Sequence, residues 1–225
     1  MTVWDRMARP LLICGIVGPL QFTLVYLIEG ATRPGYNAVQ DAVSSLGLTR
    51  AGWVDSLSVT IGGILLIGFA LGALYGLRPA GYLWGPLLLL IAGLGMTVAG
   101  IFPTDPAQGY PPGTPPGPAV GNTLHGNVHA LVGAPATFGG LTASCFVFAW
   151  GFRRDVEWRA WSPYALITAL VIVASFAGFV VSSFHSGPAG LFERIAFTSA
   201  FIWIIGLALR LLRREAMLRE PPATV

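Results

Sequence analysis

The stretch T-L-H-G-N-V-H-A-L-V at 123–132 sets His125 and His129 four residues apart at the start of an apolar run, in a chain of 225 residues with three histidines. On a helix that spacing projects both side chains from one face, His129 about one turn, or ~6 Å, further in. Two imidazoles so placed can share an ion, as in helical zinc sites. The third, His185, closes a separate apolar run at 163–184. Three neutral imidazoles with an open fourth position are the ligand set of a catalytic zinc, which lowers the pKa of its water to about 7. His125, His129 and His185 are the candidate metal ligands, and zinc the candidate cofactor.

Such a centre needs a carboxylate to orient a ligand or take a proton from the water. Asp105, in P-T-D-P, is the first choice as base and Asp41 the second. Ser44 or Ser45, one helical turn from Asp41, and Arg194 could steady a developing oxyanion; Arg194 could also hold a lipid phosphate. Asp55 and Glu193 fall at the same level. Each also fits a helix-start carboxylate, with Arg194 snorkelling beside Glu193.

The elements that position these residues follow from composition. Hydrophobic residues make up 54% of the chain and charged ones 10%, with a mean hydropathy of +0.70, well outside the range of a soluble domain. A helix needs about twenty apolar residues to cross the hydrocarbon core. Six windows qualify, near 11–28, 53–77, 82–102, 125–150, 163–184 and 190–209. Their continuity selects helices over the alternating strands of a barrel. The expected fold is all-α: a polytopic membrane protein with six transmembrane helices in one bundle. Arg6 and Arg9 precede the first segment as they would a signal peptide, but Glu29 follows it and no small-x-small cleavage site appears, so it reads as a retained helix.

There is no lysine, so orientation rests on arginine. With both termini cytoplasmic, Arg6, Arg9, Arg78, Arg153, Arg154, Arg159, Arg210, Arg213, Arg214 and Arg219 lie inside, leaving Arg33, Arg50 and Arg194 outside. The pI near 9.2 is then a topology signal and not a nucleic-acid footprint. This places the chain in the plasma membrane with its polar site extracytoplasmic. Cys14 and Cys145 fall in the cytoplasmic halves of their helices and read as apolar fillers.

The inner connections are short, R-P-A-G at 78–81 and R-R-D-V-E-W-R-A-W-S at 153–162, and two outer ones are long. In the first, Val39, Val43 and Leu46 keep helical spacing and Gly47 supplies a stop, which predicts a short amphipathic helix over 37–46 on the outer face. In the second, at 103–124, Pro111, Pro112, Pro115, Pro116 and Pro118 exclude a regular helix or strand and suggest a semi-rigid flap. Gly68, Gly72 and Gly76 make a face on the second helix where another helix can approach closely.

P-G-Y-N-A-V-Q-D-A-V-S-S-L-G after helix one, G-I-F-P-T-D-P ending helix three, H-G-N-V-H opening helix four and G-L-F-E-R-I opening helix six together resemble the six-helix prokaryotic membrane proteins of the domain-of-unknown-function family numbered 998. That resemblance spans most of the chain and implies a fold without an activity. A looser likeness is to the alkaline ceramidases and adiponectin receptors, whose membrane zinc amidase site is built from three histidines, an aspartate and a serine. It implies the same inventory here in His125, His129, His185, Asp105 and Ser44 or Ser45. Those proteins have seven helices, however, and here the histidine pair precedes the single histidine. The leading expectation is a zinc-dependent hydrolase that cuts an amide or ester of a lipid entering sideways from the outer leaflet. A lipid or small-molecule binder or transporter is the alternative, and a haem protein with His129 and His185 as axial ligands the third. Membrane lipids are the expected partners and nucleic acid is not.

Overall fold

The computed structural model describes residues 3–77 and 82–219, with backbone alone at 3–6 and 218–219. The R-P-A-G connection at 78–81, including Arg78, and the side chains of Arg6 and Arg219 lie outside the described residues. The described residues form helices α1 (Val3–Thr32), α2 (Trp53–Leu77), α3 (Trp84–Ile101), α4 (Leu124–Val128), α5 (Ala134–Phe152), α6 (Ser162–Phe184) and α7 (Ala189–Arg219). A π turn at His129–Gly133 joins α4 to α5, so Leu124–Phe152 runs as one span, and six spans are long and apolar enough to cross a membrane.

The π turn has a local cause. Pro135 opens α5 and has no N–H to return to the carbonyl four residues back. The Ala134 N–H instead reaches five residues back to the His129 carbonyl, the bonding pattern of a π turn.

α1 packs on α2, α2 on α3, α3 on α5, α5 on α6, α6 on α7, and α7 closes on α1, giving a ring of six spans. Its outside is apolar, with Leu20, Leu24 and Leu131 all exposed, as lipid requires. Between helices in lipid there is no hydrophobic gain from contact, so close fit and polar bridges hold the ring. A Cβ added at Gly72 would come within 3.0 Å of the Leu12 nitrogen on α1, and one at Gly63 within 2.5 Å of the Thr97 nitrogen on α3. The glycine face of α2 at Gly68 and Gly72 thus seats α1, while a second seam against α3 has no regular spacing to announce it. Gln21 and Ser58 bond reciprocally between α1 and α2, at 3.0 and 3.1 Å.

The ends of α1, α3 and α6 and the starts of α2, α4 and α7 share one end of the ring, here the loop face. The expected helix at 37–46 is not formed. A turn covers 37–41, where Asn37 N–H donates to Asp41 Oδ2 (2.7 Å), and a 3₁₀ helix runs Val43–Leu48. Val43, Ser45 and Leu46 are buried in it: the segment plugs the ring instead of lying on its surface, and the turn before it is held by its carbonyls. Gln40 and Val39 accept the N–H groups of Gly190 and Leu191 (3.1 and 2.9 Å), satisfying the first turn of α7. The proline-rich connection lies over the same face, with Tyr110 fully buried edge-on to Tyr36 at 5.2 Å. Gln108 Nε2 ties it down, donating to the carbonyls of Gly117 and Ser183.

Candidate functional site

Beneath the plug, at the centre of the ring, lies an inner cavity with about 40 Å³ open to the centre of a water molecule. Asp55 from α2, His129 from the π turn, Glu193 from α7 and Ser44 from the plug all line it. A larger side chamber, about 430 Å³ on the same measure, shares Ser44, His129, Ala134, Phe138 and Glu193 with it. This chamber runs between the α4–α5 span and the loop-face half of α6, where Phe176, Phe179, Val180 and Phe184 line it. Phe184, at 65% exposed, and Val180, at 39%, line it together with the exposed Pro118 and Ala119 of the proline-rich connection, so the chamber reaches the surface between α6 and that connection.

His129 is the hinge between the two spaces. Its Nδ1 lies 3.1 Å from the Ala99 carbonyl oxygen and 2.9 Å from that of Phe102. Both partners are acceptors, so Nδ1 carries the hydrogen and Nε2 of the neutral ring keeps its lone pair. The bonds also serve the fold, since they satisfy free carbonyls at the end of α3. His125 does share a face with His129, as their spacing requires, and packs edge-on to Phe102 at 5.4 Å, but its ring is exposed at the helix start. His185, also exposed, turns its Nδ1 onto the Val181 carbonyl of its own helix at 2.9 Å.

Neither His125 nor His185 lines either cavity. Among the described residues, no three of His, Cys, Asp and Glu come together closely enough to hold an ion. The donor set expected for zinc, His125, His129 and His185, is therefore not assembled among the described residues. Their side chains belong to three different surroundings, which helix spacing alone could not reveal.

Asp105 is buried. Its carboxylate accepts from Thr123 Oγ1 (2.7 Å) and Thr123 N–H (3.2 Å), while the same hydroxyl accepts the Gly126 N–H at 2.9 Å. Thr123 is thereby the N-cap of α4, and Asp105, which also lines the side chamber, holds that cap in place. Asp41 lines neither cavity. Burial raises its carboxyl above the usual aspartate range, against the Asn37 N–H and the nearby Arg194, which lower it.

Arg194 does not snorkel. It donates to the Asp41 carbonyl (3.2 Å), the Gly190 carbonyl (2.9 Å) and Tyr36 Oη (2.5 Å), clamping the first connection to α7. Burial pushes the Tyr36 hydroxyl up, and the Arg194 charge only partly offsets this. Glu193 Oε2 accepts the Val43 N–H at 2.5 Å, so the same turn of α7 both fixes the plug and lines the cavity. Ser45 lines the side chamber alone.

The residue that spacing undervalued is Asp55. It stands in the first turn of α2 as expected, yet it is 2% exposed and its Oδ1 has no hydrogen-bond partner. The signal was present, because an ionisable group inside a span tends to face the bundle interior. Nearby, Glu29 pairs with Arg33 at 2.6 Å, and Arg33 also reaches Thr49 and Ala51.

Against known proteins, the profile of a family described as a protein of unknown function, DUF998, matches residues 16–210. No curated protein and no solved structure matches the chain.

Proposed function

Because the chain belongs to the DUF998 family, which carries no assigned activity, the site itself must supply the function, and we propose that this protein binds a lipid-like amphiphile from the extracytoplasmic leaflet of the plasma membrane. The chain of the amphiphile lies in the side chamber against Phe138, Phe176 and Phe179, and its head reaches the junction at His129, Glu193 and Ser44. The observation that carries this reading is the wall that the two spaces share, Ser44, His129, Ala134, Phe138 and Glu193: an apolar chamber that reaches the surface beside α6 adjoins a cavity lined by Asp55, Glu193 and His129. Ligand sites have this make-up, mostly apolar walls with a few convergent polar groups. The arginine asymmetry supports the orientation.

Hydrolysis of the bound lipid is the second reading, favoured by the presence of His129 and Ser44 in the lining of both spaces, since a histidine with a free ring nitrogen can take a proton from water or a hydroxyl. Zinc catalysis would require the chain to regroup its histidines.

The test uses purified protein in nanodiscs and an alkyl amphiphile carrying a diazirine near its terminus, cross-linked by light and mapped by mass spectrometry. Label on Phe138 and on the 176–184 segment, competed away by unlabelled amphiphile, is expected. Label confined to lipid-facing positions such as Leu20 and Leu24, without competition, overturns the proposal. Metal analysis of the same sample and of His129→Ala decides the zinc chemistry: stoichiometric zinc in the first, lost in the second, restores the hydrolase as the primary function.

A further inference from the structure

The inner cavity is lined by hydrogen-bond acceptors without a cation to match them. Its ionisable lining residues are Asp55, Glu193 and His129, and no arginine reaches it. The two nearest arginines are turned elsewhere, Arg33 onto Glu29, Thr49 and Ala51, and Arg194 onto Tyr36 and the backbone of the first connection. The hydroxyls of Ser44 and Ser56 also line the space, while two other lining donors are already used. His129 gives its Nδ1–H to α3, and Thr137 Oγ1 donates to the Gly133 carbonyl at 2.8 Å.

Beside those hydroxyls the lining holds Asp55, whose Oδ1 is buried and without a partner, Glu193, and His129, whose Nε2 is the ring nitrogen not bonded to α3. The two carboxyls and the imidazole accept, and leaving a buried acceptor unpaired is costly. A ligand whose head brings several N–H donors and a positive charge removes that cost at all three groups together. A phosphate or carboxylate head would instead bring mainly further acceptors to these groups.

Size narrows the choice further. A space of about 40 Å³ holds roughly three water-sized groups, at ~10–15 Å³ each. An ammonium group fits, whereas a trimethylammonium group fills the space and offers no N–H. We infer that the inner cavity selects the protonated primary amine of a single-chain amphiphile, held between Asp55, Glu193 and His129 Nε2, with its alkyl chain in the side chamber. This rests on the chamber being an amphiphile site and adds the chemical identity of the head.

The experiment titrates nanodisc-embedded protein, in zwitterionic lipid, with dodecylamine, dodecanol, dodecanoate and dodecyltrimethylammonium, following competition against the photoreactive alkyl probe. Dodecylamine is expected to bind about tenfold or more tighter than each of the other three, the gain expected of hydrogen bonds to charged groups. Asp55→Asn, which keeps the shape, is expected to remove most of that preference. Equal affinity of all four compounds for the wild-type protein overturns the amine assignment while the chamber stands, and this comparison does not depend on any variant folding. A preference for the amine that Asp55→Asn leaves intact also overturns it. Failure of all four compounds to compete takes away the chamber itself.

Discussion

Gly126→Ala tests how the α4 start is built, because a Cβ at that position falls on the Asp105 carboxylate. The carboxylate must leave, giving up its bonds from Thr123 Oγ1 and N–H, at 2.7 and 3.2 Å. Bonds to a charged acceptor contribute about 1.5–3 kcal/mol each, and the change from Gly to Ala in a helix returns ~1 kcal/mol. The net loss is then about 2–5 kcal/mol, which at ~2–4 °C per kcal/mol for a chain of this size lowers Tm by roughly 4–20 °C. With Asp105→Ala in place the carboxylate is gone and the same substitution becomes neutral or stabilising by up to ~1 kcal/mol. Thermal unfolding of the four proteins in nanodiscs, read by tryptophan fluorescence, completes the cycle. A coupling energy below about 0.5 kcal/mol, with Gly126→Ala equally costly in both backgrounds, would refute the assignment of Asp105 as holder of the Thr123 cap.

The carboxyl of Asp41 is raised by burial, so its ionised form is disfavoured in the folded state: its contribution to stability is full below the ordinary value near ~3.9 and is lost as pH rises through the higher folded value. Asp41→Asn should therefore gain Tm relative to wild type between pH 3.5 and pH 7, and a constant difference across that range would show that the carboxyl is not shifted upward. Gly63→Val drives a side chain into the backbone of α3 at Thr97 and should lower Tm strongly or abolish folding, whereas Gly139→Val, which meets nothing within 4 Å, should change it little; equal effects in the same unfolding assay would contradict the α2–α3 seam.

The loop-face chemistry was half legible. His129, Glu193 and Ser44 could be named from helical spacing and from their level in the chain, and all three line the cavity. Which side chain turns inward depends on what other helices offer it. His129 is drawn in by two carbonyls at the end of α3, whereas His185 bonds to its own helix. Asp105 was singled out by its place between two prolines, and only the position of Thr123 makes it the support of a helix cap. Tyr36 and Tyr110, whose rings meet edge-on, carried no periodic signal at all.

By itself the chain determined that it is an all-helical protein with six spans, because in lipid every backbone polar group must be satisfied locally, and uninterrupted apolar runs of sufficient length leave no other solution. Tertiary structure decided which polar groups meet. Ring closure of α7 on α1 and the descent of the 43–48 segment into the bundle bring Asp55, Glu193 and His129 to one cavity. Local spacing fixes only the direction of a side chain on its own helix; the partner it finds is set by rotation and depth of that helix against its neighbours, a balance of packing and hydrogen bonding between residues far apart in sequence.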